Sequence, residues 1–320
     1  MGTKDIETAI FFDDDRRYAD LLNGYIFDGK QVIMEKQLYS QDTRETGKSQ
    51  KDSWGVQKRK KIQRFRDGVK RVAFGTSFTI IALEHQDKIH RGMPVRVMVE
   101  DALSYDRQMK KLQKQNREKG VLNKKDYISS LTDTDVLTPV VTIVIYYGEE
   151  PWNNSKDIYD ILAHKDLPEE IKTFINNYPI HVLDVRRFTN EECFQTDVRE
   201  VFGFIRRSLD KEAVKQYLKE REEQFTNIDE DAYDLIAAMT DTKQLQMVKD
   251  KYRSEEGGIN MCKGLLDWVE ESKIEGKSAG ELTILKLITA MQLDGRTSDI
   301  TRLSSEPEFL EGMKKHYHIQ

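Results

Sequence analysis

Apolar and polar positions follow two different rhythms along this chain, and the rhythm changes near Thr196. Before it, short apolar runs alternate with helical stretches. Arg16 to Phe27 reads as an amphipathic helix, and Asp13 to Asp15 favour its N-terminus through the macrodipole. Asp28-Gly29 then marks a turn, and Gln31-Val32-Ile33-Met34 begins an extended segment. Residues 40–60 are polar and carry no period, which predicts a loop. Arg66-Asp67-Gly68-Val69-Lys70 and Phe78 through Gln86 read as two strands joined across Gly75-Thr76-Ser77. After Pro94, the spacing of Val97, Asp101 or Ala102, Tyr105, Met109 and Leu112 predicts a long helix with a polar continuation to residue 125. Pro139 to Gly148 is apolar almost throughout, as expected of a strand covered on both faces. A short helix over residues 156–163 and a strand from Ile180 to Val185 complete this part.

Beyond Thr196 the period is helical. Val198, Val201, Phe202, Ile205 and Leu209 share one helix face, and similar patterns recur over residues 230–250 and 259–273. Residues 281–316 suggest two or three short helices around Gly295 and Pro307, loosely resembling a helix-turn-helix. The expected organisation is an α/β unit over residues 1–195 and a helical region over residues 196–320.

With 320 residues the chain is long enough for two or three cores. No run approaches the ~18 apolar residues of a membrane helix, and the N-terminus has no secretory apolar stretch. Cys193 and Cys262 lie far apart without a partner motif. A cytoplasmic protein that does not enter membranes is expected. Charge is uneven. Residues 1–130 hold 27 basic and 19 acidic side chains, a balance of +8, while the remainder holds 24 and 37, a balance of −13. Two basic stretches stand out. Residues 44–71 contain eleven basic and three acidic positions, including Lys58-Arg59-Lys60-Lys61 and Arg64, and residues 107–125 contain eight and one, including Lys110 and Lys111. Either stretch alone fits a solvated surface, whereas the two flanking a polar site suit a polyanionic partner such as DNA.

Candidate chemistry concentrates at the end of the second strand. Residues i and i+2 of a strand share a face, so Glu84 and Gln86 point together and His85 points away. If the first strand pairs back across Gly75, Asp67 lies beside them. A solvated pair of strand ends is the plain alternative. Against it, the apolar run before Glu84 places this carboxylate where burial begins, and an uncompensated buried charge is costly. Two carboxylates and an amide suit Mg2+, which prefers oxygen ligands, with Mn2+ or Ca2+ as substitutes. Gly24-x-x-x-x-Gly29-Lys30-Gln31 is not a phosphate-binding loop, because the helix precedes it and Gln31 replaces the hydroxyl. The six histidines and two cysteines show no zinc spacing.

Asp67 with Glu84-His85-Gln86 resembles the core of the PD-(D/E)XK nuclease superfamily, with Gln86 where lysine is usual. The wider chain is similar to the recombination-promoting nuclease/putative transposase family. That likeness rests on Tyr18-Ala19-Asp20-Leu21-Leu22-Asn23, Arg66-Asp67, Glu84-His85-Gln86-Asp87, Met93-Pro94-x-Arg96, Tyr105, Pro139-Val140, Tyr146-Tyr147-Gly148 and Trp152, in order over residues 1–210. The resemblance implies a restriction-endonuclease-like mixed sheet flanked by helices and metal-dependent cleavage of DNA, tied to recombination or mobile elements. It assigns the metal to Asp67 and Glu84, and Asp20 is the candidate for the first-helix acid. Gln86 would orient the nucleophile or phosphate, with Arg96 and Tyr105 in supporting positions on the long helix. Lys58, Arg59, Lys60, Lys61, Arg64, Arg96, Lys110 and Lys111 would hold the DNA backbone, and assembly into a homo-oligomer stays open. Glutamine lacks the positive charge of lysine, so a DNA-binding protein without turnover on the same fold is the competing expectation.

Overall fold

The computed structural model describes residues 3–40, 44–46, 63–65, 68–75, 77–240, 245, 249–254, 257–265, 283–304 and 306–319. Two helices open the chain, α1 (Thr3–Phe11) and α2 (Asp15–Phe27). Asp14 caps α2 by accepting the amides of Arg16 and Arg17, which satisfies two of its orphan N–H groups. The strands are β1 (Leu38–Ser40), β2 (Arg44–Thr46), β3 (Gln63–Phe65), β4 (Gly68–Phe74), β5 (Ser77–Gln86), β6 (Val140–Tyr146) and β7 (His181–Asp184). Five of them form one mixed sheet in the order β1-β4-β5-β6-β7. The β1/β4 and β4/β5 pairs are antiparallel, and β5/β6 and β6/β7 are parallel. β2 and β3 form a separate two-stranded ribbon. Gly75, at the β4–β5 turn, has φ 61°, a left-handed conformation that costs glycine little.

Parallel neighbours need a crossover, and the long helix α3 (Met93–Lys119) supplies it between β5 and β6. Pro94 sits in its first turn, where a missing N–H is harmless, and Gly120 ends it with φ 65°. The sheet is covered on both faces, and the strand alternation sorts side chains between them. On one face Ile81, Leu83, Ile143, Ile145 and Leu183 pack against Tyr18, Leu21 and Leu22 of α2. On the other, Val144 and Tyr146 pack against Met93 and Val97 of α3 together with Trp152 and Ile180. The continuous apolar run of β6 is thus explained by burial on two sides. The expected helix over residues 156–163 is a 3-10 turn, Ile158–Ile161, because Asp157 caps Asp160 and the backbone is extended again at Leu162.

The remaining helices are α4 (Glu169–Lys172), α5 (Val198–Arg207), α6 (Lys211–Glu220), α7 (Glu222–Thr226), α8 (Glu230–Met239) and α9 (Pro307–His316), with further helical segments over 261–265 and 283–293. Val198, Val201, Phe202, Leu235 and Ile236 belong to the same apolar core as Phe11, Leu21 and Ile143. The change at residue 196 is therefore a change of element type inside one continuous core. Arg17 fastens this union. Its buried guanidinium pairs with Asp197 at 2.8 Å, Asp229 at 2.9 Å and Asp231 at 3.2 Å, and lies over the Phe11 ring. A further core, built on Leu287, Met291 and Leu303, joins residues 283–293 to α9. No helix among the described residues is long and apolar enough to cross a membrane.

Candidate active site

Glu84 lies fully buried near the C-terminal end of β5, on the face that α3 covers. It sits there because Ile80 and Ala82, four and two residues earlier, place that face inward by strand alternation. The Arg96 Nη2 approaches its Oε2 at 2.8 Å, and the Arg96 Nε reaches Glu100 Oε1 at 3.2 Å. One guanidinium thus ties the strand acid to a second buried acid one helical turn along α3. The i,i+4 spacing of Arg96 and Glu100 is what lets one side chain meet both. Asp101, the next residue, is also buried. Its two carboxylate oxygens accept the Thr142 hydroxyl at 2.6 Å and the Tyr178 hydroxyl at 2.5 Å. Three acids therefore share the layer between sheet and α3, each held by a named donor.

Gln86 follows on the same strand face, half-buried, and its carbonyl accepts the Tyr147 amide at 2.8 Å. His85 points to the opposite face, as the alternation requires. It stacks on Phe12 at 5.5 Å and meets the Tyr147 hydroxyl at 3.3 Å. Burial there pushes its pKa down to about 3, so it packs as a neutral ring.

The other expected residues divide. Asp67, Lys58, Arg59, Lys60 and Lys61 lie outside the described residues. Asp67 immediately precedes Gly68, whose partner across the β4/β5 ladder is Leu83, the neighbour of Glu84. Arg64 falls on β3. Asp20 is buried on α2, on the far side of the sheet from α3. It accepts the Gln195 amide at 2.9 Å, and the Thr196 amide and hydroxyl at 2.7 and 2.6 Å. Its carboxylate is engaged in holding the loop before α5, and the fold does not bring it to Glu84. Tyr105 accepts the Val140 amide at 3.0 Å and anchors α3 to the start of β6. Lys110 pairs with Asp106 at 2.5 Å, and Lys111 is exposed. Lys70, counted within the first basic stretch, is instead buried, donating to Asp15 at 2.6 Å and to the Asp13 carbonyl at 2.7 Å.

Glu100, Asp101, Thr142 and Tyr178 were not singled out as site residues by the sequence. The available signal was the repeat of Arg96, Val97, Glu100 and Asp101 along one helix face. Among the described residues, no group of three or more His, Cys, Asp and Glu is arranged to hold a metal. A cavity of about 380 Å³ opens beyond the strand ends, lined by Lys4, Asp87, Lys88, Glu149 and Arg186, with Glu84 and Arg96 outside it.

No curated protein and no solved structure gives a significant match to the chain. The family described as "Putative transposase, YhgA-like" matches residues 75–236, which runs from the β4–β5 turn through most of α8 and includes Glu84, Gln86 and Arg96. With half of its length matched, the chain belongs to the YhgA-like transposase family.

Proposed function

We propose that this protein is a metal-dependent DNA endonuclease acting in mobile-element or recombination chemistry. The observation that carries the reading is Glu84, a carboxylate buried completely at a strand end and held opposite Arg96, with Gln86 beside it on the same face. A buried acid is costly unless something cationic compensates it, and here compensation comes from a side chain that is still 29% exposed. Arg96 can keep one edge on Glu84 and offer the other to a phosphate, a geometry that guanidinium supports. The donors available, the carboxylates of Glu84 and Glu100 and the carboxamide of Gln86, are all oxygen, which fits Mg2+. Glu84 and Asp67 would hold the ion. Once bound, it would supply Lewis acidity toward the phosphodiester and a nucleophile at neutral pH. Gln86 would position the attacking water by hydrogen bonding, and Arg96 would neutralise charge on the phosphate.

Nicking of supercoiled plasmid with Mg2+ or Mn2+ tests this. Wild-type protein should nick, and Glu84→Ala and Asp67→Ala should each lower the rate by at least about 100-fold while binding to duplex survives. A second reading, a DNA-binding protein without turnover, is favoured by the Glu84–Arg96 pair itself, since it satisfies the acid without a metal. Retained binding with intact plasmid would decide for it.

A further inference from the structure

We propose that the loop following α3 inserts Tyr127 and Ile128 as an apolar wedge between stacked base pairs of duplex DNA. This deepens the DNA reading above and rests on it. Tyr127 is 77% exposed and Ile128 is 101% exposed, an aromatic and a branched side chain side by side in solvent.

Their exposure is built in, since the loop around them is tightly bonded. Asp126 is buried and accepts the Asn123 amide at 3.0 Å. Ser130 is buried in a left-handed conformation, φ 55°, with its amide on the Asp126 carbonyl at 2.7 Å and its own carbonyl accepting from Asn116 at 3.2 Å. A non-glycine residue is strained in a left-handed conformation, so the surrounding bonds must hold it. Asp135 accepts Asn116 and the Thr132 amide, both at 2.7 Å. Gln108 exchanges two hydrogen bonds with Thr138, closing the loop onto α3. Hydrogen bonds within the loop and from Asn116 and Gln108 of α3 thus fix the backbone on either side of two side chains that touch solvent.

Charge identifies the occupant. Eight basic residues fall within 107–125, and Lys124 and Lys125 stand just before the wedge. Of the nearby acids, Asp126 and Asp135 accept hydrogen bonds within the loop and exposed Asp133 pairs with Lys125, so residues 107–135 keep eight basic side chains against four acidic ones. An apolar tip beside a net positive stretch matches a polyanion with a stacked interior. Side chains such as Ile and Leu part base steps in this manner, and lysines at the rim contact the flanking phosphates.

The test uses duplexes carrying 2-aminopurine, whose fluorescence rises on unstacking, titrated with full-length protein in EDTA so that no cleavage is read. Wild-type protein should raise the fluorescence severalfold. Tyr127→Ala/Ile128→Ala, which removes only exposed atoms, should abolish the rise while weakening binding less than about tenfold. Lys124→Ala should instead flatten the salt dependence of binding by a slope of about 1. An unchanged fluorescence rise in the Tyr127→Ala/Ile128→Ala variant overturns the wedge and leaves the DNA reading standing. Failure of wild-type protein to bind duplex overturns both. Loss of self-association in that variant, with no fluorescence effect, assigns the pair to a protein contact and also overturns the proposal.

Discussion

His85 sits between Phe12 and Tyr147 on the face opposite Glu84, and its burial has a measurable cost in acid. The ring's pKa falls to about 3 in the fold, against an ordinary value of 6.5. Above pH 6.5 both folded and unfolded chains hold it neutral, so it contributes no pH dependence there. Between pH 6.5 and 3 the unfolded chain binds the proton and the folded chain does not, so stability drops as the solution is acidified. From pH 7 to 4.5 this amounts to a loss on the order of 2–3 kcal/mol. Urea midpoints at those two pH values should differ less in His85→Phe than in wild type. An equal difference in the two proteins would place the acid sensitivity elsewhere. Asp20 makes the same point about carboxylates. Its acceptor role toward Gln195 and Thr196 predicts that Asp20→Ala costs about 2–3 kcal/mol in thermal or urea denaturation. Metal-dependent nicking per folded molecule should be unchanged, and a folded but inactive variant would return Asp20 to the site.

At the level of elements, α3 carries both structural and functional duties along one face. Tyr105 illustrates the structural one. Tyr105→Phe should cost about 1 kcal/mol by leaving the Val140 amide without its acceptor, with nicking rates unaltered, as urea unfolding and the plasmid assay would show. Much of this layer was legible beforehand. The β4–β5 hairpin, the helix after Pro94 and the doubly covered β6 all follow from period and glycine placement. The i,i+2 rule correctly separated His85 from Glu84. What could not be read was pairing across distance. Thr142 interrupts an apolar run for no visible local reason, until Asp101 from α3 accepts its hydroxyl. Likewise α1 leaves Ile6 and Ile10 exposed and buries Phe11, a choice made by α2, α5 and α8 closing around that ring.

For the molecule as a whole, the small core on Leu287, separate from the clusters that pack the sheet, predicts an unfolding event of its own. Leu287 is fully buried in the small core with Met291 and Leu303. Leu287→Ala should remove about 2–4 kcal/mol from that unit alone. Calorimetry should then show one transition lowered and the other, belonging to the sheet and its helices, unmoved. A single transition that shifts as a whole would mean the two cores melt together.

The Arg17 clasp has a consequence for synthesis. All five strands of the main sheet have been translated once Asp184 is made, yet the carboxylates that receive Arg17 are Asp197, Asp229 and Asp231. From Arg17 to Asp231 the ribosome adds 214 residues, roughly 10–40 s of elongation. During that interval the guanidinium meets Asp197 first and gains Asp229 and Asp231 only when the chain is nearly three-quarters built, so the clasp closes after α2 has its sheet face to lie on.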